Sequence, residues 1–121
     1  MAEAWPAKAA IEATGRGKLI VSGMLTEACI SFAVLSALEA GYECYVVGDA
    51  CGGPTVAGRD LALQRMASNG AQLSSWLQVL LELQRDWTRH DTYDAARAVV
   101  EKNGGGYGVG LRYARQMQTP Q

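Results

Sequence analysis

Hydrophobic residues in this chain fall into two kinds of run. Leu19-Ile20-Val21 and Cys44-Tyr45-Val46-Val47 are unbroken by polar residues, the habit of short parallel strands covered on both faces. Elsewhere the apolar positions spread to helical spacing, as at Ile30, Val34, Leu35 and Leu38, and again at Leu77, Leu80, Leu81 and Leu83. Glycines punctuate the runs. Pro6 opens a leading helix over 7–14 that Gly15 and Gly17 stop, and the first strand runs over 18–23 and ends at Gly23. A helix over 27–40 closes at Gly41, and the second strand, 44–47, gives way to a glycine-rich loop, 48–54. A helix over 59–69 stops at Gly70, 72–74 reads as a brief third strand, and 76–87 is the clearest amphipathic helix. A last helix is expected over 92–102, followed by an irregular tail, Asn103 to Gly110. Strand, helix, strand, helix, strand, helix predicts an α/β fold with a parallel sheet and right-handed crossovers.

Composition narrows the function classes. At 121 residues and 49% apolar content the chain fits one domain with a real core, 1–121. Within it, 1–17 is the leading helix, 18–87 the core, and 88–121 a C-terminal helix with its glycine-rich tail. A net charge of −1 argues against nucleic acid and acidic membrane surfaces as partners. No stretch approaches the roughly 18 consecutive apolar residues of a membrane helix, and Met1 to Pro6 lacks the pattern of a secretory signal. Three cysteines, an odd number in apolar or loop-like settings, suit a reducing cytoplasm better than a disulfide framework. Metal-ligand spacing is absent, so no metal is expected. No cofactor is expected either: the glycines of 103–110 follow no strand and lack the dinucleotide-loop spacing.

The chemistry concentrates after the first strand. Thr26 is a ready cap for a helix beginning at Glu27, which places Cys29 in the first turn among unpaired amides and the positive dipole end. That position favours the thiolate, the nucleophilic form; the duller reading is a small apolar residue packed under the helix. Cys44 lies inside a strand and is a core residue. Cys51 follows the second strand, where ligands of open α/β sheets bind, and either lines a pocket or fills the loop. Asp49 either caps the next turn or reaches the site. His90 reads as part of a solvated linker, and Ser74 and Ser75 lack a nucleophile-elbow pattern.

Gly23-Met24-Leu25-Thr26-Glu27-Ala28-Cys29 resembles the nucleophile loop of the isochorismatase-like cysteine hydrolases, a superfamily that includes nicotinamidases and N-carbamoylsarcosine amidases. Tyr45 to Gly52 resembles its next strand and Asp-Ala loop. Arg65-Met66 and Glu82 to Trp87 are closest to the YcaC-like branch, whose members form large homo-oligomers. The resemblance spans 18–87 and implies the C-terminal half of a three-layer αβα parallel sheet, its last three strands with their helices. It also implies Cys29 as nucleophile, the amides of Leu25 and Cys29 as the oxyanion pair, and a cis peptide between Met24 and Leu25. Thr26, Asp49 and Cys51 are candidate pocket residues. Isochorismatases lack this cysteine, so its presence points to acyl transfer from an amide-like small molecule.

The family mechanism also needs an aspartate base and a lysine, and both precede the matched region. Ala4-Trp5-Pro6 aligns just after that lysine, so this chain is expected to lack both groups and to turn over little alone. Lys8 and Lys18 are not substitutes, and Asp49 is a stand-in base that no spacing demands. The first strand would then lie at an open edge of the sheet, which invites pairing with another chain. Two other readings stay open: a non-catalytic interaction module or truncated fragment, and a redox-sensing thiol at Cys29 resolved by Cys51.

Overall fold

The computed structural model describes residues 7–118, and they divide into two compact units, the first ending at Trp76 and the second starting at Leu77. The first unit contains α1 (Lys8–Ala13), β1 (Lys18–Met24), a π-helical turn (Thr26–Ile30), α2 (Ser31–Glu39), β2 (Glu43–Gly52), α3 (Val56–Ser68) and β3 (Gln72–Ser74). The strands form one parallel sheet in the order β1-β2-β3, the α/β arrangement that the strand–helix alternation predicts.

The core of this unit forms where one side of the π turn and α2 meets the sheet. Ile30, Val34 and Ala37 pack with Cys44, Val46 and Cys51 of β2 and Met66 of α3. Val34, Val46 and Met66 are completely shielded; full burial of such a side chain contributes on the order of 1.5–3 kcal/mol. The first strand departs from expectation. Its apolar run is covered on one face only, with Leu19 and Val21 against the core and Ile20 56% exposed. Among the described residues β1 is an edge strand with β2 as its neighbour, as the resemblance implies; the exposed Ile20 shows that its unbroken hydrophobicity does not mean burial on both faces.

A second correction concerns the end of β2. The glycine at 48 suggests a stop, but the strand runs on to Gly52. β1 and β2 pair in step from Lys18↔Glu43 to Val21↔Val46, slip register, and resume at Gly23↔Cys51 and Met24↔Gly52. Residues 47–50 of β2 therefore stand opposite Ser22 alone, a bulge that re-aims the strand end. Asp49 and Cys51, expected in a loop, lie in this continued strand. α3 also starts earlier than expected, because the Thr55 side chain accepts a hydrogen bond from the Gly58 amide at 3.0 Å and caps it.

The second unit is helical: α4 (Trp76–Gln84, from its second residue), α5 (His90–Asn103) and α6 (Gly105–Gln118). α4 ends before Trp87, with Arg85 at φ +68°. Buried Gln84 ties down the linker: its amide donates to the carbonyls of Asp86 and Arg89, and its oxygen accepts from Thr92 Oγ1 at 2.6 Å. Trp87 meets Tyr93 edge to face at 5.6 Å, and the Arg97 guanidinium lies 5.3 Å from the Tyr93 ring centre.

The glycine-rich tail is not irregular but helical. α6 packs on α5 through Gly108, where a Cβ would collide with the carbonyl oxygen of Val100. Arg115 reinforces the contact by gripping both carboxylate oxygens of Glu101 at 3.1 and 3.0 Å. A glycine that weakens an isolated helix is here what lets two backbones approach.

Candidate functional site

The carboxyl end of β1 hands the chain to a turn that few sequence signals announce. Gly23 has φ +131°, a conformation suited to glycine. The peptide bond between Met24 and Leu25 is cis. Leu25 is then extended, and the backbone enters the π-helical turn that carries Cys29. One carbonyl, that of Leu25, accepts from the amides of Ala28 at 3.2 Å and Ile30 at 3.1 Å.

Two hydroxyls hold this turn. Thr26 is fully buried, and its Oγ1 donates to the carbonyl of Gly52 at 3.0 Å, fastening the turn to the end of β2. Thr26 is thus not the helix cap expected from the sequence: Leu25 occupies that position, with no side-chain cap. Ser31 Oγ donates to the Thr26 carbonyl at 2.6 Å. Pairing of Gly23 with Cys51 and Met24 with Gly52 completes the frame.

On this frame Cys29 is an exposed free thiol, and among the described residues its sulfur makes no hydrogen bond. Leu25 is also exposed, at 39%. The other cysteines differ. Cys44 is buried in the core, and burial pushes its thiol up. Cys51 is buried as well; desolvation raises its thiol, partly offset by the Gly23 amide and the nearby Arg59. Cys51 is therefore a core thiol packed with Val34, Val46 and Met66 rather than a loop side chain. Asp49 acts farther along the chain than the expected cap of its next turn: its Oδ1 accepts from the Trp76 amide at 2.9 Å, at the first residue of α4. Lys8 and Lys18 pair with Glu12 and Glu43, and His90 begins α5, exposed.

A groove of about 380 Å³ lies beside the turn, walled by Glu27, Ser31, Phe32, Leu35, Leu61 and Arg65 among others, but not by Cys29. Glu27 crosses to α3, where a Cβ on Gly58 would overlap its carboxylate. Sequence reasoning missed Ser31 and the Gly52 carbonyl. Serine five residues after threonine carries no familiar helical signature, because the spacing belongs to a π turn.

Residues 6–78 match the model of the isochorismatase domain. The chain belongs to the isochorismatase domain family. Among its relatives is the probable hydrolase YcaC of Escherichia coli K12, 45% identical over 78 residues, which are 64% of this chain and 38% of that protein. The crystal structure of the E. coli YcaC gene product, described as an octameric hydrolase of unknown specificity, superposes with a TM-score of 0.81 at 35% identity. That superposition covers 93% of this chain and 53% of the other. YcaC from Pseudomonas aeruginosa, solved with hexane-2,5-diol and covalent acrylamide, gives a TM-score of 0.79 at 37% identity, over 88% of this chain and 52% of that one. The chain therefore spans about half the length of the isochorismatase-domain structures it resembles. Within the family, the three parallel strands and flanking helices are the shared fold.

Proposed function

We propose that this isochorismatase-family chain carries the nucleophile half of a cysteine hydrolase acting on an amide-like C–N bond. The observation that carries the reading is Cys29: an exposed thiol on a turn clamped to the sheet's carboxyl end, in a family of hydrolases. In the reaction, the Cys29 thiolate bonds to the carbonyl carbon and the carbonyl electron pair moves onto oxygen. The amides of Leu25 and Cys29 hold that oxyanion. Collapse expels the nitrogen, which takes a proton and leaves as amine, and water then splits the thioester to the acid, regenerating the thiol.

Base and orienting lysine are the parts this chain is not expected to supply. Asp49 already serves as the cap at Trp76, so little turnover is expected from the chain alone, since such groups act as a unit. Covalent acrylamide in the P. aeruginosa YcaC supports the reading, because acrylamide bonds to nucleophiles. Three free thiols suit a reducing cytoplasm. A homo-oligomer is proposed on the precedent of the octameric E. coli YcaC. Among the described residues no helix is long and apolar enough to cross a membrane.

Acrylamide itself provides the test. Peptide mapping by mass spectrometry after brief exposure at neutral pH should show one adduct, on Cys29, and none in Cys29→Ala. An unmodified Cys29, or equal labelling of all three thiols in folded protein, would overturn the assignment.

A second reading is a non-catalytic interaction module, favoured by the half-exposed Ile20 on edge strand β1. Lys substituted at Ile20 would disperse an assembly built on that edge and leave Cys29 labelling unchanged. An assembly unaffected by Ile20→Lys would dismiss this reading.

A further inference from the structure

We infer that Glu27 is a positioning residue for Cys29: its carboxylate, seated on Gly58 of α3, sets how the turn presents the thiol. The inference rests on the nucleophile reading of Cys29 and names a second strap for the same turn. Glu27 lines the groove beside the turn and Cys29 does not. Glu27 therefore acts through the backbone that joins them rather than on the reacting atoms.

Gly58 carries the argument. It is the third residue of the 13-residue helix α3, where glycine is among the poorest helix formers. No positive φ calls for it. Glu27 does: a Cβ on Gly58 would stand 2.6 Å from Glu27 Cδ and 2.9 Å from Oε2, and would collide with Oε1 as well. Glu27 is exposed overall, so its side chain has solvent to turn to, and the missing Cβ is what admits it against α3. Oε1 also lies 3.8 Å from the Cβ position of Gly53, just past the end of β2. The carboxylate thus bridges both ends of the connection from β2 to α3. A first helical turn, with unpaired amides and a positive dipole end, suits a carboxylate there.

The order of residues gives the contact its consequence. Thr26 ties the turn to the sheet at Gly52, and its neighbour Glu27 ties the turn to α3. Cys29 follows two residues later on the same π-helical turn. The relation of its sulfur to the amides of Leu25 and Cys29 then depends on both straps.

Two reagents on the full chain separate positioning from plain stability. p-Nitrophenyl acetate passes its acetyl group to the Cys29 sulfur, p-nitrophenolate leaving, and draws on the oxyanion amides; iodoacetamide needs only an accessible thiol. Glu27→Ala should slow acetylation about tenfold, as misplacement of reacting groups does. Alkylation of Cys29 should stay unchanged, with Cys44 and Cys51 still protected. Glu27→Gln keeps length and shape and should remain near the wild-type rate. Gly58→Ala should reproduce the Glu27→Ala defect by displacing the side chain into solvent. In the double variant it should add nothing to that defect and should raise the urea midpoint, since alanine favours the helix. Wild-type acetylation in both Glu27→Ala and Gly58→Ala overturns the positioning role and leaves Cys29 as nucleophile. Equal slowing of acetylation and alkylation, or loss of protection at Cys44 and Cys51, overturns it as well, because Glu27 is then structural only. A wild type with no acetyl on Cys29 fails the nucleophile reading itself, and this inference with it.

Discussion

Thr26 Oγ1 donates to the main-chain carbonyl of Gly52 across 3.0 Å, joining the turn that bears Cys29 to the end of the neighbouring strand. Thr26 is fully buried, so the hydroxyl has little recourse to water. Thr26→Val keeps the shape and removes the donor. Losing such a bond and leaving a carbonyl poorly satisfied costs about 1–3 kcal/mol. Urea denaturation should show a lower midpoint of that order with an unchanged slope. The acrylamide reaction at Cys29 should slow in Thr26→Val and recover in Thr26→Ser, which restores the hydroxyl.

The three thiols should separate by accessibility. Iodoacetamide at neutral pH is expected to modify Cys29 first, while Cys44 and Cys51 react at a rate set by opening of the fold. Timed quenching and peptide mapping would check the order.

A pH effect follows from the two buried thiols. Burial raises both in the folded state, so the unfolded chain gives up these protons at lower pH than the native one. Their contribution is fully present below the ordinary thiol value of about 8.5 and is lost as pH rises through the raised folded values. The urea midpoint should therefore fall progressively as pH rises above about 8.5. Cys44→Ala should be less stable at neutral pH from its cavity, yet show a shallower fall. A wild-type decline identical to that of Cys44→Ala would refute the thiol origin.

Gly108→Ala should loosen α6 from α5. A Cβ there would strike the Val100 carbonyl and crowd Glu101; overpacking of this kind costs roughly 1–3 kcal/mol. Limited proteolysis should then cut within 105–118 faster than in the wild type, while protection of β2 amides to hydrogen exchange stays unchanged.

Much of the fold was legible in the sequence because its signals are local. The apolar run at Cys44 to Val47, the helical stripe at Ile30 and Val34, and the glycine stops each act within a few residues. The turn at the end of β1, residues 23–29, stood out through its resemblance to a family. What escaped depends on partners far along the chain. The bulge opposite Ser22, the Thr26–Gly52 clamp and the burial of Cys51 all follow from how β1 meets β2. The helicity of α6 was hidden because glycine signals a break locally, whereas Gly108 marks a close helix contact. Ile20 misled in the opposite sense, since an apolar run does not reveal whether one face of the sheet is covered or both.

Cys29 as the acyl-accepting atom is the central claim, and p-nitrophenyl acetate, an activated ester, tests it most directly. Rapid-quench mass spectrometry should find a single acetyl group on Cys29, sensitive to hydroxylamine as a thioester is, and missing in Cys29→Ala. Acetylation confined to lysines or the N-terminus, or equally strong in Cys29→Ala, would contradict it.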